Sequence, residues 1–211
     1  MNAPITWPQR GLYLITPDET DTARLLARLR PALAAGPALL QYRNKAAGPA
    51  LRREQAGAVL ALCREAGIPL VVNDDWRLAL DIGAEGAHLG GDDGDLAEAR
   101  AAAPGLRLGA SCYDDLARAQ AAAAAGADYL AFGAFFPSGT KPLARHAHTG
   151  LLRDSAGLDL PRVAIGGITP DNAPGLVAAG ADFLAVIGGV FASGDPAAAV
   201  RAYRRAFDSL P

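Results

Sequence analysis

The chain has 211 residues, 51% of them hydrophobic, and a formal charge of −2. That is enough apolar material for one large α/β core, and the charge balance excludes a nucleic-acid surface, which needs clustered Lys and Arg. No apolar run reaches the roughly 18 residues of a membrane span and no signal-peptide core stands near the N-terminus, so a soluble cytoplasmic protein without a membrane partner is expected.

Residues 1–10 carry two prolines and no clear period, and are expected to form a short N-terminal arm on one domain running from 11 to 211. Gly11–Thr16 is a near-continuous apolar run stopped by Pro17, which predicts a buried strand. From Asp21, the residues Leu25, Leu26, Leu29 and Leu33 recur at helical spacing until about Gly36. Ala38–Arg43 predicts the second strand. A long helix follows from Pro49, with Leu51, Val59, Leu60 and Leu62 on its apolar side and Gly67 past its end. The same alternation then continues. Strands are predicted at Leu70–Asn73, Gly86–Leu89, Leu106–Ala110 (with Ser111 at its tip), Asp128–Gly133, Arg162–Ile165 and Asp182–Val186. Helices are predicted around Trp76–Leu80, Asp95–Ala103, Tyr113–Ala125, Leu151–Ser155 and Pro196–Phe207. Gly-Ala-Asp/Glu stands before three of the strands, at residues 83–85, 126–128 and 180–182, which suggests one recurring helix-to-strand turn. Eight apolar strands alternating with helical patterns indicate an α/β chain folded as a single-domain (β/α)8 TIM barrel. An open doubly wound sheet, the rival, would usually have fewer strands. The two cysteines, Cys63 and Cys112, lack metal-type spacing and are expected to remain reduced.

Such barrels carry their chemistry at the C-terminal strand ends. Two acidic clusters emerge there, Asn73-Asp74-Asp75 after the third strand and Gly90-Gly91-Asp92-Asp93 after the fourth. Carboxylates converging beside an amide suit Mg²⁺ on a phosphorylated ligand, while Asp residues after strands also serve as helix N-caps. Strand alternation puts Gln41 and Arg43 on one inward face, with Lys45 in the next loop. Ser111 follows the fifth strand. After the sixth, Pro137-Ser138-Gly139-Thr140-Lys141 is a turn that suits phosphate contacts, or a plain exposed loop. Ile165-Gly166-Gly167-Ile168 and Ile187-Gly188-Gly189 end the last two strands, and paired glycines there either admit a phosphate close to the backbone or make tight turns. The set describes a site for two phosphorylated small molecules, one a metal-bound pyrophosphate. No Cys–His pair or Ser-His-Asp triad is present. His88, within a strand, is expected to be a structural hydrogen-bonding group. His146 and His148, two residues apart, are read as part of a solvated loop or a metal pair.

Taken in order, Leu12–Thr16, Gln41–Lys45, Val72–Asp74, His88–Asp93, Gly126–Tyr129, Thr140-Lys141 and Ile165–Ile168 resemble the thiamine phosphate synthase (thiamin-phosphate pyrophosphorylase) family over nearly the whole chain. The resemblance implies joining of hydroxymethylpyrimidine pyrophosphate to thiazole phosphate, with release of pyrophosphate. It implies that Asp74 and Asp93 hold Mg²⁺ and that Arg43, Lys45, Asn73 and Lys141 contact the leaving group. Gln41 and Ser111 would lie near that group and the pyrimidine. Ser138, Thr140, Gly167, Ile187 and Gly188 would cradle the thiazole phosphate, with residues 138–150 closing as a lid. A homo-oligomer is compatible with it. The chain departs from the family's frequent residues at Ser138 (often Thr), Gly91 (often Gln) and Gly188 (often Ser). The related thiazole tautomerases rely on a His near the sixth strand, where this chain reads Phe132-Gly133-Ala134-Phe135. A non-catalytic phosphate-ligand-binding barrel is the other alternative.

Overall fold

The computed structural model describes residues 5–91, 94–137 and 147–208. Eight parallel strands pair in chain order and close on themselves: β1 (Gly11–Ile15), β2 (Leu39–Tyr42), β3 (Leu70–Asn73), β4 (Gly86–Leu89), β5 (Arg107–Tyr113), β6 (Tyr129–Gly133), β7 (Arg162–Ile165) and β8 (Phe183–Val186). Between and after them lie α1 (Thr22–Ala34), α2 (Pro49–Ala66), α3 (Trp76–Ile82), α4 (Leu96–Ala102), α5 (Leu116–Ala124), α6 (Gly150–Asp154), α7 (Ala173–Ala178), α8 (Gly188–Phe191) and α9 (Pro196–Arg204). This is the expected (β/α)8 barrel. None of these helices is long and apolar enough to cross a membrane.

Aspartate starts many of the helices. Asp21, Asp75, Asp95, Asp115 and Asp195 each accept a backbone N–H from the first turn of the helix that follows. Four elements differ from expectation. Strand β5 runs on through Cys112 and Tyr113 after a register shift between Ser111 and Tyr113, so Ser111 sits inside the strand and α5 begins three residues later than its alanines suggest. The helices α7 and α8 have six and four residues, too short to leave a readable apolar period.

Alternation sorts each strand into two faces. Tyr13, Ile15, Leu39, Val71, Tyr129, Ala131, Val163, Phe183 and Ala185 fill the barrel interior, while neighbours such as Leu12, Leu14, Leu40, Val72 and Leu184 pack outward on the helices. The N-terminal arm is not separate from this interior. Trp7 packs against it and stacks at 6.2 Å on Tyr129, the first residue of β6, so the indole lies at the end of the barrel where the strands begin. Cys63 and Cys112 are free and buried, and burial pushes the Cys112 thiol up to about 12.

The Gly-Ala-Asp/Glu turns do recur. Gly83, Gly126 and Gly180 take positive φ of 74°, 93° and 107°, the conformation that favours glycine. The acid two residues on then reaches back to the preceding strand. Glu85 accepts the N–H of Leu70 at 2.8 Å, Asp128 that of Leu108 at 2.7 Å and Asp182 that of Arg162 at 2.8 Å. Each carboxylate thus ties the start of β4, β6 or β8 to the start of the strand before it. Asp128 also pairs with the guanidinium groups of Arg100 and Arg107. Removing it leaves a half-buried N–H and Arg100 without that partner, so Asp128→Ala is expected to cost about 2–4 kcal/mol in denaturant unfolding. Arg107 is 52% exposed, and Arg107→Ala should cost less than about 1 kcal/mol in the same assay.

Candidate active site

A cavity of about 790 Å³ opens at the C-terminal ends of the strands. Its floor is a row of inward-facing polar groups, joined across the barrel. Gln41 Nε2 on β2 donates to the Tyr13 hydroxyl at 2.9 Å, which lies 2.9 Å from the Tyr129 hydroxyl on β6. Tyr129 meets His88 Nδ1 of β4 at 3.2 Å, and His88 Nε2 meets Ser111 Oγ of β5 at 2.9 Å. Gly109 makes room for this row, since a Cβ there would fall 2.0 Å from the Tyr129 ring. Burial holds both phenols well above their ordinary pKa, so they stay protonated.

The β2 end supplies the cations, and the alternate residues hold them there. Thr16 both accepts the Arg43 N–H at 2.8 Å and donates to the Arg43 carbonyl at 2.7 Å, extending the β1–β2 pairing past its last rung. Tyr42 and Asn44 face away from the cavity, where both donate to the buried Gln55 Oε1 at 2.9 Å; Gln55 Nε2 and Asn44 Nδ2 donate to the Glu19 carbonyl. That anchors a loop whose other residues, Arg43 and Lys45, face the cavity. Asp18 accepts from the Lys45 N–H at 2.8 Å and lies 3.3 Å from Arg43 Nη1.

The two readings of the third-strand acids divide between neighbours. Asp75 is the helix cap, accepting from the Leu78 N–H at 2.8 Å. Asp74 is not a cap. Its N–H continues the strand ladder to the His88 carbonyl, its φ is +65°, and its carboxylate is 3.4 Å from Lys45 Nζ at the cavity wall. A non-glycine residue held in that region is costly unless the surroundings demand it. Beside it, a side cleft of about 30 Å³ between the β2 and β3 ends is lined by Arg52, Asn73 and Asp74, and the buried Arg52 Nε has no hydrogen-bond partner among the described residues.

The opposite wall is built from the β7 and β8 loops. Gly166 and Gly167 have φ of 102° and 62°, and their hydrogens face protein: a Cβ on Gly166 would lie 2.4 Å from Ala134 Cβ, and one on Gly167 2.5 Å from the Pro137 carbonyl oxygen. Thr169 and Asn172 bond reciprocally, and Asn172 Nδ2 donates to the Gly167 carbonyl at 3.1 Å. Tyr203 of α9 donates to the Ile168 carbonyl at 2.8 Å, and its hydroxyl would lie 2.0 Å from a Cβ on Gly189. Gly188 alone of these four has nothing among the described residues within 4 Å of where a Cβ would go. Ile187, Gly188 and Gly167 all border the cavity.

Of the residues expected in the site, Gln41, Arg43, Lys45, Asn73, Asp74, Ser111, Gly167, Ile187 and Gly188 therefore line one cavity. Asp93, Ser138, Thr140, Lys141 and His146 lie outside the described residues. His148 is exposed just before α6. His88 is the hydrogen-bonding strand residue it was expected to be. Tyr13, Tyr129, Asp18 and Tyr203 were not anticipated. The inward parity of Tyr13 and Tyr129 was available from strand alternation, but that they meet across the barrel depends on its closure.

The thiamine monophosphate synthase family matches residues 12–190. The chain belongs to that family. Thiamine-phosphate synthase of Xanthomonas campestris pv. campestris (strain 8004) is 57% identical over 201 residues, covering 94% of this chain and 96% of that protein. The same-named protein of Aromatoleum aromaticum is 55% identical over 202 residues, covering 95% and 97%. Among solved structures, thiamine phosphate pyrophosphorylase from Pyrococcus furiosus superposes with a TM-score of 0.84 at 34% identity, covering 95% of this chain and 96% of that one. The fold, the family and an enzyme of the transferase type agree with the cavity just described.

The glycines separate by what surrounds them. Gly167→Ala places a methyl group against two carbonyl oxygens at positive φ and should destabilise the fold by roughly 2 kcal/mol or more. Gly188→Ser meets nothing within 4 Å among the described residues, so its melting temperature should match that of the parent protein.

Proposed function

We propose that the protein joins hydroxymethylpyrimidine pyrophosphate to thiazole phosphate, giving thiamine phosphate and pyrophosphate. The observation that carries the reading is the division of one cavity. Arg43, Lys45, Asn73 and Asp74 stand on one wall, and the glycine-bearing β7 and β8 loops stand on the other. The first wall suits a pyrophosphate, and the second suits a monophosphate held by backbone N–H groups.

Mg²⁺ fits the residues available. Among the described residues no three His, Cys, Asp or Glu side chains gather as a metal cluster, so a fully protein-made cage is not part of the reading. Magnesium rarely needs one, because it binds through one or two carboxylates plus substrate phosphates and keeps several waters. Asp74, turned toward the cavity from a left-handed backbone, offers an oxygen-only donor of that kind, and Asp93 is the expected second. Bound there, the ion supplies positive charge against the pyrophosphate oxygens.

The chain's own groups do the rest. Arg43, Lys45 and Asn73, with Lys141 from the stretch that follows the sixth strand, take the charge that builds on pyrophosphate as the methylene C–O bond breaks and the electron pair leaves with oxygen. The aminopyrimidine stabilises the cation left on the methylene carbon, and the thiazole nitrogen donates its lone pair to form the new C–N bond. No protein base is needed. Gln41 and Ser111 face the pyrimidine from the floor, while Ser138, Thr140, Gly167, Ile187 and Gly188 hold the thiazole phosphate, so that the nitrogen rather than water captures the cation. The tautomerase alternative lacks its histidine, since residues 132–135 read Phe-Gly-Ala-Phe.

The test is thiamine phosphate formation from the two purified substrates. Product is expected with Mg²⁺ and not with excess chelator. Binding of both ligands without turnover at saturating Mg²⁺ would instead support a ligand-binding barrel. Asp74→Ala should stay folded and lose about 10²–10³ in kcat/KM. Gly188→Ser adds a hydroxyl where no described residue stands within 4 Å, and its KM for thiazole phosphate should fall about three- to tenfold.

A further inference from the structure

We propose that Tyr13, Tyr129 and His88 are positioning residues forming a hydrogen-bond relay of fixed direction, which holds His88 as the Nε2–H tautomer and turns the Ser111 hydroxyl into the cavity as a donor. The direction follows from counting hydrogens. Gln41 Nε2 can only donate, so the Tyr13 oxygen accepts from it; the 2.9 Å bond to Tyr129 could run either way by geometry, but if Tyr13 accepted there too its own buried hydrogen would be left unspent at a cost, so that hydrogen is assigned to Tyr129. Tyr129 then has its own hydrogen left for His88 Nδ1 at 3.2 Å. A neutral imidazole whose Nδ1 accepts must carry its hydrogen on Nε2, which donates to Ser111 Oγ at 2.9 Å. With its lone pair engaged by the imidazole, Ser111 has its own hydrogen free for a ligand.

Packing keeps the members in place independently of the hydrogen bonds. Tyr129 stacks with His88 at 5.6 Å and with Trp7 at 6.2 Å, meets Tyr13 edge-on at 6.0 Å, and fills the space that Gly109 leaves. Burial keeps both phenols protonated, so neither can end the chain as a phenolate. The consequence is a polarised floor. Gln41 keeps its carbonyl oxygen as an acceptor on the β2 side, and Ser111 offers a donor on the β5 side. Were the Gln41 amide turned over, every bond would reverse: His88 would carry its hydrogen on Nδ1 and Ser111 would spend its hydrogen on Nε2. Which ligand meets this floor rests on the proposed function, but the direction itself does not.

The experiment is a long-range ¹H–¹⁵N correlation on the full chain labelled at histidine, without substrate and at neutral pH. The His88 signals are assigned by their loss in His88→Gln. The expected spectrum has a bare Nδ1 and a protonated Nε2. A hydrogen on Nδ1, a doubly protonated ring or an averaged pair of tautomers would overturn the relay. Tyr129→Phe keeps the ring and removes the hydroxyl, and should move the His88 Nδ1 resonance to that of an imine nitrogen with no hydrogen-bond donor, whereas an unchanged Nδ1 resonance also defeats the proposal. If the wild-type protein makes thiamine phosphate, Tyr13→Phe should lower kcat/KM about three- to tenfold, the loss of one hydrogen bond's worth of orientation. If it makes none, the proposed function fails while the tautomer result still decides the relay.

Discussion

Closure of the barrel is the constraint on which the site depends. Eight short parallel strands joined edge to edge give every second residue the same interior, and that interior excludes water toward its N-terminal end, where Trp7 packs against it. A polar side chain sent inward there cannot find solvent and must be satisfied by another strand, because an unmade hydrogen bond at such depth costs roughly 1–3 kcal/mol. Gln41 at 3% exposure and His88 at 8% are therefore joined to β1, β5 and β6 through Tyr13, Ser111 and Tyr129. The chain of bonds separates the dry apolar layer below from the open cavity above.

The same two-residue period organises β2 and the loop after it. Gln41, Arg43 and Lys45 share the cavity side, and Tyr42 and Asn44 share the other, where Gln55 holds both. One face carries the charges, and the other fixes the backbone that aims them. The charges themselves are paired only loosely. Lys45 is 57% exposed and 3.4 Å from Asp74, and such pairs are worth about 0–1 kcal/mol. In the proposed reaction that weakness is useful, because Lys45 must turn to the leaving group and Asp74 to a cation without a large cost.

Much of this was legible in the chain. Strand positions, the parity of Gln41 and Arg43, the recurring Gly-Ala-acid turn and the order of the family motifs all follow from local pattern. What was hidden depended on long-range placement or on competition between neighbours of one type. Asp74 and Asp75 are chemically equivalent as letters, and only backbone geometry makes one a cap and the other a cavity carboxylate. Ser111 was expected at a strand tip because Leu106–Ala110 ends the apolar run, yet pairing with β6 across a register shift carries β5 to Tyr113. Tyr203 lies on the last helix, far from the β7 loop in sequence, and nothing local connects it with Ile168.

The glycines of the β7 and β8 loops show how one pattern can hold two physical causes. Both pairs look alike as sequence, and both border the cavity. Three of the four are glycine because protein occupies the place of a side chain: Ala134 against Gly166, the carbonyls of Phe136 and Pro137 against Gly167, and Tyr203 against Gly189. Those contacts pull the β6 and β7 loops and the last helix together, and so shape the wall from behind. Gly188 has no such neighbour among the described residues, and its backbone lies outside the left-handed region, so neither their packing nor conformation requires glycine there. In the proposed reaction, a residue at the cavity edge that the described residues leave free answers to what enters the cavity, and this is the point where the wall's shape and its affinity become separable.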